Sequence, residues 1–137
     1  MKVENLYDIL VKCDHKVSTD TREIIKGSIF FALKGENFDG NNFALTALKN
    51  GASYSIVDNK NISKSDDRII LVKDVLETLQ NLSKYNRTKS SCYVIGVTGS
   101  NGKTTTKELI HQILKIKYKT IRSEEHTSEL QSQFRIS

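Results

Sequence analysis

Up to residue 86 the apolar positions alternate between helical spacing and short continuous runs. Glu4 to Lys12 places Leu6, Ile9 and Leu10 on one face and predicts a short helix. Ser28-Ile29-Phe30-Phe31-Ala32-Leu33 is an apolar run of strand length, the pattern of a strand buried on both faces. Lys34 to Asn41 is a loop in which Asp39-Gly40 signals a turn. Phe43 to Asn50 reads as a helix ended by Gly51. Tyr54 to Val57 and Ile69 to Val72 are two further short strands. Asp74 is placed to cap a helix with Glu77 as its capping-box partner, and Leu76, Leu79 and Leu82 mark that helix's buried face. Asn86 to Ser91 is polar and has no period, which places a linker at 87–91.

Beyond it, Tyr93-Val94-Ile95-Gly96-Val97-Thr98 predicts a strand, followed by a glycine-bearing loop and a helix carrying Leu109, Ile110, Ile113 and Leu114. The expected class is therefore α/β. A small domain covers 1–86, and the first strand, loop and helix of a second, nucleotide-binding α/β domain cover 92–121. A parallel sheet needs neighbours on both sides. The second region is therefore expected to expose Val94, Ile95, Val97 and the apolar face of its helix.

Composition narrows the partners. The chain holds 21 basic and 16 acidic residues, a formal charge of +5. That balance suits anionic substrates such as nucleotides. The lysines are scattered and not interleaved with aromatic residues, so nucleic acid is not an expected partner. Cys13 and Cys92 have no metal-site spacing, and His15, His111 and His126 are isolated, so no protein-built metal site is expected. No apolar run approaches the ~20 residues of a membrane span, and there is no signal-peptide pattern at the N-terminus. A cytoplasmic protein without membrane insertion is the expectation.

The last stretch has a different character. Arg122 through Ser132 read RSEEHTSELQS, the translation of a widely used sequencing adapter, and 122–137 is expected to be a non-native tail. On that reading the natural chain continues past Ile121. Without the tail the balance is 19 basic to 13 acidic residues, or +6.

The loop Gly99-Ser100-Asn101-Gly102-Lys103-Thr104-Thr105 carries the chemistry. Strand, glycine loop and helix in that order are the context in which such a motif means phosphate binding. Glycines let the backbone turn its N–H groups toward an anion, and the helix adds its positive end. Lys103 would reach the terminal phosphates of ATP, and the Thr104 hydroxyl would join the shell of a magnesium ion. The spacing departs from the common P-loop, which would have glycine at Val97.

This shorter pattern, T-G-x-x-G-K-T-T, resembles the loop of the Mur ligases and of their relatives, the folylpolyglutamate synthetases. The first domain strengthens the resemblance. Ser18-Thr19-Asp20-Thr21-Arg22, Lys26 through Gly35, Glu36-Asn37-Phe38-Asp39-Gly40-Asn41-Asn42-Phe43 and Gly51-Ala52 are similar to the opening of the branch of that family that adds D-alanyl-D-alanine. The branch that adds the third peptide residue tends to carry Asp-Ser-Arg where this chain has Asp20-Thr21-Arg22. The resemblance covers most of residues 17–121. It implies an ATP- and Mg2+-dependent amide ligase, monomeric at full length, acting on UDP-N-acetylmuramoyl-tripeptide and D-alanyl-D-alanine through an acyl phosphate.

It also implies that Thr21 and Arg22 lie near the nucleotide of the UDP-sugar, with Lys34, Gly35, Asp39 and Gly40 in a loop beside it. Lys103 would act on the transferring phosphoryl group, with Thr105 supporting the phosphates or metal. The present chain alone is expected to be inactive. Arg22 could instead pair with Asp20 or Glu23, and Asp39-Gly40 could be only a turn. Two other readings stand beside this one: a ligase of the neighbouring branch, and a non-catalytic nucleotide-sugar-binding module.

Overall fold

Leu6 and Leu10, one turn apart, give the first helix a single apolar stripe, and both are buried on α1 (Val3–Lys12). In the computed structural model, which describes residues 1–122, this helix opens the first of two units. The first unit is Met1–Lys89 and the second begins at Ser90.

Four short strands form the sheet of the first unit: β1 (Val17–Ser18), β2 (Ile29–Phe31), β3 (Tyr54–Val57) and β4 (Ile69–Leu71). They lie side by side in chain order, and every neighbouring pair is parallel. Parallel strands bury both faces, which is why β2 is an unbroken apolar run with all three residues inside. Phe30 and Ala32 point to one face. There they join Ala44, Ala47 and Leu48 of α2 (Ala44–Lys49), together with Ala52, Val57 and Ile69. Ser55, on that same face, donates its hydroxyl to the Ala44 carbonyl at 2.9 Å and so fastens α2 to β3.

By the period of two, Ile29, Phe31 and Ile56 point the other way. α3 (Val75–Lys89) packs against β2 and against α1, where Tyr7 and Tyr85 meet edge to face at 5.2 Å between ring centres. β1 escaped the sequence reading because it is two residues long. Hydrogen bonding holds it in place: the buried hydroxyls of Ser18 and Ser28 lie 3.2 Å apart, and the Ile25 N–H donates to Ser18 Oγ.

Two expectations for α3 need correction. Leu76 is 46% exposed, and the buried stripe is Val75, Leu79, Leu82, Ser83 and Asn86. One residue along from Val75 is about 100° round the helix, which carries Leu76 off the stripe. The helix also runs on to Lys89, so Arg87, Thr88 and Lys89 of the expected linker are helical. Asn86 continues the buried stripe although it is polar, and polarity hid the period. Asp74 does cap the helix, accepting from the Glu77 N–H at 2.7 Å.

The second unit contains α4 (Lys103–Leu114), as the apolar spacing predicts. The expected strand over 93–98 is not formed. A strand exists only when a neighbour pairs with it, and among the described residues none does. Val94 and Ile95 are exposed, as are Leu109 and Ile113 of α4, while Val97 is half-buried. The expected non-native tail lies, from Ser123 onward, outside the described residues. Within the described residues no helix is long and apolar enough to cross a membrane.

Candidate functional site

In a parallel sheet the loops that leave the carboxyl ends of the strands converge on one edge, where ligands of α/β domains bind. Lys34, Gly35, Asp39 and Gly40 all lie in the loop that leaves β2. Lys34 and Asp39 pair across its base as an antiparallel bridge, and the Gly35 N–H donates to the Phe38 carbonyl at 3.0 Å. Gly40 then passes against the strand it came from: a Cβ there would fall 2.4 Å from the Leu33 carbonyl oxygen and 2.7 Å from Ala32 C. Only glycine fits so close to backbone atoms.

Asn41 anchors this loop, and the sequence reading did not single it out. It is 1% exposed, and its amide uses every donor and acceptor it has. Nδ2 donates to Asp39 Oδ1 at 2.7 Å and to Asp58 Oδ1 at 2.8 Å, while Oδ1 accepts from the Asp58 and Asn59 N–H groups. Asp39 also caps the 3₁₀ turn Gly40–Phe43 through the Asn41 N–H. The loop after β2 is thereby tied to the carboxyl end of β3. Asp58 was missed as well; its only signal was an acidic residue directly after the buried run Tyr54–Val57.

Lys34 Nζ sits 2.8 Å from Asp58 Oδ1. Burial pushes the Asp58 carboxyl up, but the hydrogen bonds from Lys34 and Asn41 outweigh it and leave it below its usual range. The Asp58 hydrogen bond likewise raises Lys34, with Asp39 and Asp74 adding to the field around the ammonium.

Thr21 and Arg22 belong to a different turn, the 3₁₀ turn Thr21–Glu23 that follows β1. The Thr21 carbonyl accepts from Asn50 Nδ2 at the end of α2. Of the two partners open to Arg22, the structure selects Asp20. Arg22 Nε lies 3.0 Å from each carboxylate oxygen, and Nη2 lies 2.5 Å from Oδ2. That pairing, with the Arg22 N–H, holds the Asp20 carboxyl at about 2. Arg22 remains largely exposed, with its side chain 86% accessible. The two groups of expected UDP-sugar residues thus sit on two separately fastened turns, each with its own ion pair.

In the second unit, Gly99, Ser100, Asn101, Gly102, Lys103, Thr104 and Thr105 are all exposed. Gly102 takes the N-cap of α4 with φ +74, a conformation that glycine adopts without strain, and as glycine it offers no side-chain cap. The start of a helix concentrates backbone N–H groups and the positive end of the helix dipole, the chemistry that suits an anion. Lys103 folds back over its own loop, donating to the Gly99 carbonyl at 2.5 Å. Its ammonium is thus held against the backbone carbonyls of Gly99 and Ser100. Thr104 supplies one hydroxyl, so a magnesium ion here would be held mainly by nucleotide phosphates and water.

Comparisons with known proteins bear on the family. Residues 15–87 match the family described as "Mur ligase family, catalytic domain", and residues 97–135 match "Mur ligase middle domain". The UDP-N-acetylmuramoyl-tripeptide--D-alanyl-D-alanine ligase of Bacillus subtilis is 42% identical over 106 residues, which is 77% of this chain and 23% of the relative. The UDP-N-acetylmuramoyl-L-alanyl-D-glutamate--2,6-diaminopimelate ligase of Aquifex aeolicus is 39% identical over 100 residues, 72% of this chain and 20% of that one. The crystal structure of MurF ligase from Thermotoga maritima in complex with ADP superposes with a TM-score of 0.71 at 36% identity, over 93% of this chain and 28% of that one. The chain spans about a quarter of the length of the curated relatives it matches.

Proposed function

The chain belongs to the Mur ligase family, and we propose that it serves an ATP-dependent ligase that joins D-alanyl-D-alanine to UDP-N-acetylmuramoyl-tripeptide in the cytoplasm. The first unit holds the UDP end of the sugar substrate at the carboxyl edge of its parallel sheet. The second brings the ATP phosphates onto the N-terminus of α4. One observation carries the reading: a strand-edge loop and a glycine-lysine loop before a helix occur in one chain, and a MurF ligase structure in complex with ADP superposes over 93% of it.

In the reaction, ATP phosphorylates the terminal carboxylate of the UDP-sugar peptide. The amine of the dipeptide attacks the acyl phosphate, phosphate leaves, and the amide remains. The chain's own contribution to the first step is electrostatic. Lys103 and the N–H groups at the start of α4 would draw charge off the transferring phosphoryl group, and the Thr104 hydroxyl would help to hold a magnesium ion that neutralises phosphate charge.

The test is a ligase assay on an enzyme of the relatives' length, read as phosphate release. Turnover is expected with UDP-N-acetylmuramoyl-tripeptide and D-alanyl-D-alanine, and Lys103→Ala should lower it at least about a hundredfold. Near-normal turnover in that variant would overturn the role of the loop. A second reading, addition of the third peptide residue, is favoured by the likeness to the Aquifex aeolicus diaminopimelate ligase. Turnover with a UDP-dipeptide and a diamino acid, and none with the tripeptide, would select it.

A further inference from the structure

Lys34 is the cation of the strand-edge loop, and it is already engaged. Besides Asp58 at 2.8 Å, the carboxylates of Asp39 and Asp74 act on its ammonium. These three acids follow β2, β3 and β4 in turn, so successive strand ends aim negative charge at a single lysine. A diphosphate arriving at this edge is repelled unless the ammonium turns toward it.

The pair is built so that the lysine can leave. The Lys34 side chain is 53% exposed while that of Asp58 is 13%, which puts the cation outward and the carboxylate behind it. Asp58 does not depend on Lys34 alone: Asn41 Nδ2 donates to the same oxygen at 2.8 Å, and the Asp58 and Asn59 N–H groups hold Asn41 in turn. When Lys34 turns away, the carboxylate keeps a hydrogen bond and its place.

We propose that Asp58 is an internal counter-ion of Lys34 that an incoming nucleoside diphosphate must displace, which makes Asp58 a determinant of affinity at this loop. The inference rests on the reading of the loop as a nucleotide-sugar site and adds the residue that sets its strength. A ligand with phosphates takes the ammonium from Asp58 and gains by it. A nucleoside without phosphate has nothing to offer Lys34 and leaves the pair closed.

The substitution that isolates this effect is Asp58→Asn, which keeps the shape and an acceptor for Asn41 and removes only the charge. The isotope-labelled full chain is titrated with UDP and, separately, with uridine, following the amides of Gly35 and Gly40 so that binding at this loop is read apart from the phosphate loop. UDP is expected to bind about fivefold more tightly to Asp58→Asn, the effect of removing one partly exposed ion pair. Uridine affinity stays unchanged, and the gain disappears when Lys34→Met is added. UDP affinity that is unchanged or weakened, with the Gly35 and Gly40 amides still responding, overturns the proposal and leaves the loop a nucleotide site. An equal gain for uridine also overturns it, because a loosened loop and not a released lysine would then be the cause. If UDP moves neither amide in either chain, the nucleotide-site reading falls and the proposal with it.

Discussion

At the scale of single residues, the loop after β2 shows how a short motif is fixed by what surrounds it. Lys34-Gly35 and Asp39-Gly40 were legible in the sequence as a turn and as part of a family resemblance. Asn41 and Asp58 were not, because a residue that works by joining two loops gives no signal in either one. Gly40→Ala is expected to destabilise the first unit by about 2–3 kcal/mol, since its new methyl group meets backbone and not a movable side chain. The urea midpoint of the chain measures this, and a change under 0.5 kcal/mol in magnitude, on the order of an ordinary surface substitution, would show that the loop stands further off in solution. Arg22 offers a pH test. Asp20 titrates at about 2 in the folded chain against an ordinary 3.8. A depressed carboxyl contributes stability above its unfolded value and loses that contribution as pH falls from about 4 toward 2. In Arg22→Ala the Asp20 midpoint should rise toward the ordinary range, read by carboxyl NMR. A midpoint that stays at about 2 would mean that the ion pair contributes nothing to it.

At the scale of elements, the sequence spoke clearly wherever one residue made the signal and poorly where a neighbour did. Tyr54–Val57 is a strand at its expected limits, and Asp74 caps α3 through the expected N–H of Glu77. Asp74→Ala should cost about 1 kcal/mol, seen as a lower melting temperature of the first unit. An unchanged melting temperature would mean that the end of α3 frays without loss. The far end of α3 was read short because Asn86 is polar, although its spacing from Leu79 and Leu82 puts it on the buried side. The run Tyr93–Thr98 has every local property of a strand and forms none. Its apolar pattern describes a place in a sheet, and the described residues supply no strand beside it.

At the scale of the whole chain, the two units differ in what holds them. The first buries Ile29, Phe30, Phe31, Ile56, Leu79 and Leu82 almost completely. Among residues 90–122 of the second none is buried, and α4 is twelve residues long with Leu109 and Ile113 exposed. A helix of that length with no fully buried residue is marginal in water. Amide exchange should therefore be slow across β2, β3 and α3 and fast across α4 in the same molecule. On the proposed function, nucleotide binding would change that balance. Phosphates seated on the first N–H groups of α4, with Lys103 beside them, favour the helical form and none of the open ones, so Mg-ATP should slow exchange in the first turns of α4. The Lys103→Ala chain should show no such slowing, and β2 and β3 should not change in either. Slow exchange across α4 without nucleotide would mean that something covers its apolar face. Slow exchange that needs Mg-ATP would make the phosphate loop a site that orders its own helix when it is filled.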